Sequence, residues 1–316
     1  MQKKESRVAV VSLNPCVDKT VWIDRFIYGG TNRVQRTQED VAGKGTNVCA
    51  ALRSLGQECI CVGFDYAGSP KTVTQRLSEC GCRCEMVTLS GAMRTNLKLF
   101  ENSTGVMSEV NEKGEQILAE QLCQLLERYQ QVLQQLDQQS IVILTGSIPP
   151  GVPSDIYYKM IQMAKAQGIR VLLDASGEPL LRGAEALPFA MKPNQDEIGQ
   201  LLGRSISTLE EAIEGASELV GRGVAYCCVS LGSEGAVLVT QNGAYQAPAL
   251  QVEVRGIQGA GDSLVAGMTF ALMEGRTEQE ALRYAMAAAG GSVMRDGTLM
   301  CTKEDFEQLL GQVEIR

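Results

Sequence analysis

The chain has 316 residues, 44% hydrophobic and 21% charged, with a net charge of −8 and no histidine. At ~150 residues per domain this length makes two domains, or one α/β body with an appendage, with core enough to need neither disulfide nor structural metal. The missing imidazole excludes Ser-His-Asp and Cys-His catalysis and His-bearing metal sites, and the acidic balance without basic runs argues against nucleic acid as a partner.

In chain order, residues 7–13 (RVAVVSL) have the pattern of a buried strand. That apolar stretch is too short for a signal h-region and far below the ~20 residues that span a bilayer, so no membrane partner and a cytoplasmic location are expected. Period-two alternation follows over 17–36. Residues 46–55 are helical, with Val48, Ala51, Leu52 and Leu55 on one side, and 59–64 are strand-like again. A second alternating stretch, 94–110, sets Leu97, Leu99 and Glu101 opposite Lys98 and Phe100. The Gln-rich 130–139 reads as a solvated helix face and its exit. Strands are expected at 140–145, 170–174, 189–192 and 226–231, and helices at 154–166, 195–202 and 264–273. Residues 236–240 and 244–250 flank Asn242-Gly243, a strong hairpin signal.

Short strands separated by helices predict βαβ units and a mostly parallel sheet. The two alternating stretches predict a small β element inserted into that body. The expected division is an α/β body at 1–13, 37–90 and 111–316, and an inserted β lid at 14–36 and 91–110.

Eleven cysteines are present. Cys59 and Cys61, then Cys80, Cys82 and Cys84, are separated by single residues, whereas zinc sites use gaps of two to four. Cys227 and Cys228 lie in an apolar strand. Packing as small buried hydrophobes in a reducing compartment is the expected role.

The glycine-rich segments match neither a Walker A loop nor a dinucleotide fingerprint: Gly43-Lys44 is followed by Gly45, and Gly259-Ala260-Gly261 lacks the third glycine. Each nevertheless opens a helix, where free N–H groups make an anion site. Asp262, at the start of the 264–273 helix, is either a base beside such a cradle or simply its N-cap. Thr145-Gly146-Ser147 follows a buried strand, where open α/β sheets bind ligands. Asn194 and Glu197 have the spacing of a capping box.

Together, AGKGTN (42–47), TGSIPPG (145–151), KPNQDE (192–197) and GAGDS (259–263) resemble the ribokinase-like PfkB carbohydrate kinases, over essentially the whole chain. The resemblance implies a doubly wound α/β fold with a small β-sheet lid, and an ATP- and Mg²⁺-dependent kinase. It implies that Asp262 is the catalytic base and that Gly259, Ala260 and Gly261 donate N–H groups to the transferring phosphoryl. Asp18, Gly43 and Asn47 would meet sugar hydroxyls, with Ser147 near the sugar. Lys192, Asn194 and Glu197 would lie toward ATP and Mg²⁺, Glu197 reaching the metal through water, and Ser230, Gly232 and Gly235 would line the nucleotide site.

Residues 14–18 (NPCVD) and 94–98 (RTNLK) are similar to the branch that phosphorylates sugars already bearing phosphate, with Lys44 and Arg94 implied as that phosphate's cations. The expected reaction is phosphorylation of a ketohexose monophosphate, fructose 1-phosphate at its 6-hydroxyl. Tagatose 6-phosphate, fructose 6-phosphate, an unphosphorylated sugar or a nucleoside remain open as substrates, as does a non-catalytic sugar-phosphate-binding regulator. Lids of this kind pair across a two-fold axis, which implies a homodimer through Val21, Trp22, Ile23, Phe26 and Ile27. Three positions depart from the family pattern: Ala42, Arg255-Gly256 and Gly290-Gly291-Ser292.

Overall fold

A computed structural model describes residues 7–316; residues 1–6 of the expected body lie outside the described residues. The elements run β1 (Val8–Ser12), β2 (Cys16–Ile23), β3 (Val34–Ala42), α1 (Lys44–Ser54), β4 (Cys59–Tyr66), α2 (Val73–Ser78) and β5 (Arg83–Leu89). Next come β6 (Arg94–Glu101), β7 (Val106–Asn111), α3 (Ala119–Leu133), β8 (Ile141–Thr145), α4 (Ile156–Lys165) and β9 (Arg170–Asp174). After α5 (Gly177–Glu185) and β10 (Ala190–Met191) follow α6 (Gln195–Leu202), α7 (Leu209–Arg222) and β11 (Tyr226–Ser230). The chain ends with β12 (Ala236–Thr240), β13 (Gly243–Ala247), α8 (Ala260–Met273), α9 (Glu278–Val293) and α10 (Lys303–Leu310).

Among the described residues, nine strands form one sheet in the order β13-β12-β11-β10-β9-β8-β1-β4-β5. Pairing is parallel from β11 to β5 and antiparallel at β12 and β13. Every residue of β1 and β8 is buried, as central parallel strands covered on both faces require, and so they read as unbroken apolar runs. The chain winds from β1 out to β4 and β5, then returns to β8 on the other side. That reversal opens a crevice beyond the carboxyl ends of β1 and β8.

Strands β3, β2, β6 and β7 form a separate four-stranded sheet. β3 runs on to Ala42, past the boundary expected at residue 36, because its pairing with β2 continues to Cys16↔Ala42. The alternation in β6 holds, and the structure shows which side faces in. Lys98 is buried at 4% exposure, while Leu97 and Leu99 are half-buried; Asp18 of the adjacent β2 draws the ammonium inward. Val21 and Ile23 are buried as well, so the apolar surface of this sheet is instead Phe26, Ile27, Tyr28, Val34, Val106 and Val110. The β12–β13 register pairs Thr240 with Gly243, which makes Gln241-Asn242 the turn rather than Asn242-Gly243. No helix among the described residues is long and apolar enough to cross a membrane.

Candidate active site

Asp262 occupies the first turn of α8, whose N-cap is Gly259 in the left-handed conformation (φ 74°). A side chain at residue 259 would be strained by that φ and would meet the Met300 methyl, 2.5 Å from an added Cβ. The first intrahelical bond runs from Ser263 N to Gly259 O at 2.8 Å, so the N–H groups of Ala260, Gly261 and Asp262 have no acceptor within the helix. The capping alternative for Asp262 is therefore corrected: the residue lies inside the helix and its carboxylate makes no cap. It accepts instead from Asn47 Nδ2 at 2.8 Å.

Burial lifts the Asp262 carboxyl to about 6, helped by Asp174 and opposed by Lys44, Lys192 and the Asn47 bond. A carboxyl titrating there is ionised at neutral pH, yet more basic than an ordinary aspartate, which suits proton abstraction.

Beside it stands a group that sequence spacing did not reveal. Asp174, at the carboxyl end of β9, is fully buried. Lys192 Nζ lies 3.1 Å from its Oδ1 and Lys44 Nζ 3.3 Å from both oxygens, while Thr145 Oγ1 donates to Oδ2 at 2.9 Å. Burial works against the Asp174 charge, but the two lysines and Thr145 outweigh it and hold the carboxyl below the usual range. Lys192 is 5% exposed, whereas the Lys44 side chain keeps 39% of its surface open to the cleft. A Cβ added at Gly261 would sit 3.8 Å from Lys192 Nζ, so this ammonium borders the free N–H groups of α8. The visible signal was an Asp ending a buried strand, at the sheet edge where ligands bind.

Gly43, at φ 109°, is the N-cap of α1. A Cβ there would approach Pro15 Cα at 3.0 Å, and one at Gly45 would meet Ser12 at 2.6 Å. These glycines let α1 dock against the end of β1, which sets Lys44 and Asn47 over the crevice.

A second cluster lies where β2 and β6 meet the body. Asp18 accepts from Lys98 Nζ at 2.6 Å and from Asn96 Nδ2 at 3.1 Å. Arg94 donates to Asn96 Oδ1 at 2.6 Å, to Glu112 O at 2.9 Å and to Asn14 O at 3.3 Å. Asn14 Nδ2 donates to the exposed Ser147 at 3.1 Å, while its buried Oδ1 has no partner. Sequence reasoning missed Asn14, Asn96 and Lys98 as site residues. The structure thus groups Lys44 with Asp174, Lys192 and Asp262, and Arg94 with Asn14, Asn96 and Asp18.

On the other side, Asn194 and Glu197 close their capping box, with Asn194 Oδ1 accepting from Glu197 N at 2.8 Å and Glu197 Oε2 from Asn194 N at 2.9 Å. Asn194 bridges to Ser230, so residues 192–197 lie beside the loop carrying Gly232 and Gly235. Gly235 packs so tightly that an added Cβ would fall 2.0 Å from Ala247 O. The four-stranded sheet reaches across the cleft: Gln258, just before α8, donates to Met107 of β7 at 2.8 Å. Gly297 lies against Asp40 of β3, at 3.4 Å from an added Cβ.

Free helix N–H groups, two lysines and a poised carboxyl on one cleft are the equipment of a phosphoryl-transfer enzyme. The chain belongs to the pfkB family of carbohydrate kinases, whose sequence profile matches residues 10–305. It is thus a phosphotransferase acting on a sugar hydroxyl. It is 34% identical to a 1-phosphofructokinase of Bacillus subtilis over 308 residues, covering 98% of this chain and 99% of that one. A tagatose-6-phosphate kinase of Staphylococcus epidermidis is 28% identical, over 98% and 99%. Phosphofructokinase-2 of Escherichia coli, solved with substrates and products, superposes with a TM-score of 0.88 at 25% identity, over 97% and 99%.

Proposed function

We propose that this kinase, acting in the cytoplasm, transfers the γ-phosphoryl of ATP to the 6-hydroxyl of fructose 1-phosphate. The observation that carries the reading is the pairing of Asp262, on the free N–H groups of α8, with a separate guanidinium cluster at Arg94. Relatives named for 1-phosphofructokinase activity, at 34% and 29% identity over nearly the full chain, favour fructose 1-phosphate; the tagatose-6-phosphate kinase keeps that sugar as the second reading.

Asp262, held by Asn47, takes the proton of the attacking hydroxyl. The N–H groups of Gly259, Ala260 and Gly261, or those the helix start leaves free among them, face the transferring phosphoryl. Lys192 lies beside them. Lys44, expected beside Arg94 on the substrate phosphate, is reassigned to the transferring phosphoryl, because its ammonium sits on Asp174 and in the field of Asp262 and Glu197. Asp18, positioned by Lys98, and the unpartnered Asn14 Oδ1 accept from sugar hydroxyls, with Gly43 and Ser147 at the rim. Asn194, Ser230, Gly232 and Gly235 line the nucleotide side. Glu197 would hold Mg²⁺ through water, with the ATP phosphates supplying its other ligands. A Mg²⁺ ion there would neutralise phosphate charge.

A coupled assay for ADP with fructose 1-phosphate, tagatose 6-phosphate and fructose 6-phosphate tests the assignment. Turnover of none of these, alongside turnover of a free sugar or nucleoside, overturns it. Arg94→Ala should raise the KM for the sugar phosphate by the equivalent of roughly 2–4 kcal/mol while leaving the KM for ATP nearly unchanged. An unchanged sugar KM in a variant that still folds would count against Arg94 as the phosphate cation.

The edge strand β7 is exposed along its whole length, and with Phe26, Ile27 and Tyr28 it leaves apolar surface of the kind that pairs between subunits. We read this sheet as the contact surface of a homodimer. Escherichia coli phosphofructokinase-2 has a tetrameric inhibited form; sedimentation of this protein should be run with and without its two substrates. A monomer at micromolar concentration in both would remove the dimer.

A further inference from the structure

Three thiols that lie far apart in sequence meet in one place outside the catalytic cleft. Cys49 comes from α1, Cys59 opens β4 and Cys82 directly precedes β5. Their sulfurs lie within 4.8 Å of one another, and Cys59 and Cys82 are 3.5 Å apart. All three are buried, Cys49 completely and the others to 5% and 6% exposure. A cation bound at ~2.3 Å by three sulfurs separates them by about 4 Å, so the free thiols already stand close to the required triangle. We propose that Cys49, Cys59 and Cys82 form a binding site for one thiophilic d¹⁰ cation such as Zn²⁺ or Cd²⁺.

The surroundings suit such a complex. A divalent cation on three thiolates carries a net single negative charge, and forming it from three thiols releases three protons. Arg53 supplies a balancing positive charge nearby: its Nε donates to Cys80 O at 3.0 Å, and its Nη2 lies 3.2 Å from a Cβ added at Gly81. Half-buried Cys80 and Cys84 flank Cys82, so the site lies just beneath the surface turn ahead of β5. Spacing rules missed the site because the ligands are brought together by the packing of α1 on β4 and the pairing of β4 with β5, not by a local loop.

Reduced, metal-free, full-length protein titrated with Cd²⁺ should develop a thiolate-to-cadmium charge-transfer absorption that saturates at one equivalent. Cys59→Ser and Cys82→Ser should each weaken binding by more than the roughly 10–100-fold that losing even an outer-shell partner costs, and Cys123→Ser, at an exposed position of α3, should not. Because the serine variants can fail to fold, X-ray absorption of the wild-type protein loaded with one equivalent of Zn²⁺ provides a second reading. Three sulfurs at ~2.3 Å support the site. Fewer than three sulfurs, an absorption that does not saturate, or Cys123→Ser weakening binding as much as Cys59→Ser, overturns it.

Discussion

Replacing Asp262 by Asn should lower kcat by roughly 10²–10⁴-fold, the range for loss of a positioned base, while the protein folds normally and binds ATP at least as tightly. Stability should move in the opposite direction. The Asp262 carboxyl titrates at about 6 in the folded protein because burial disfavours its charge, against about 4 in an unfolded chain. The folded state therefore binds its proton more readily, and stability from this group is complete below pH ~4 and lost as pH rises through about 6. Asn carries no charge, so Asp262→Asn should be more stable than wild type at pH 7. A shift of about two pH units sets an upper bound of about 3 kcal/mol, and the advantage should vanish near pH 4. The same titration should make wild-type kcat/KM fall with one proton below about pH 6. Melting curves at pH 4 and 7 beside kcat decide the matter: activity within about threefold of wild type would falsify the assignment of the base.

Asp174→Asn is the second large expectation, and here the damage is to stability. The substitution leaves Lys192, buried at 5% exposure, without the carboxylate 3.1 Å away, and sets its ammonium against that of Lys44. Breaking a buried pair by removing one partner costs about 3–5 kcal/mol; the lower end is expected because Lys44 reaches solvent. The Asp174 carboxyl is held below its ordinary range, the lysines outweighing its burial. Its contribution is thus present above the unfolded carboxylate range and lost as pH falls through its folded value, so the difference from wild type should be full at pH 7 and shrink in acid. KM for ATP should rise as well, since both lysines lose their anchor. A melting temperature at pH 7 unchanged from wild type would show that Asp174 does not hold the lysines.

The fold class was legible because its causes are local. Fully buried parallel strands must be apolar throughout, as in β1 and β8, and the helices between them repeat at their own period. The glycines of GAGDS and AGKGTN were equally visible, because a left-handed φ at Gly259 and the close docking of α1 at Gly43 admit almost nothing else. Asn194 and Glu197 were readable as a cap since both partners lie within one helical turn.

Other assignments depended on partners distant in the chain. Whether Asp262 caps a helix or sits within it turned on where Gly259 ends the preceding loop and on Asn47, 2.8 Å away but 215 residues distant in sequence. Alternation in β6 did not say which side faces in; Lys98 is buried because Asp18, on the neighbouring strand, accepts its ammonium. The thiols of Cys49, Cys59 and Cys82 had no local pattern to mark them, and the end of a buried strand marked Asp174 only as a residue near the crevice, not as the partner of two lysines. What the sequence by itself determined was thus the elements and the helix starts, set by backbone sterics and by which faces must be apolar. Only the tertiary structure decided which charges share a buried site, because the cost of burying a charge is met by partners that the folding of distant segments brings within hydrogen-bond range.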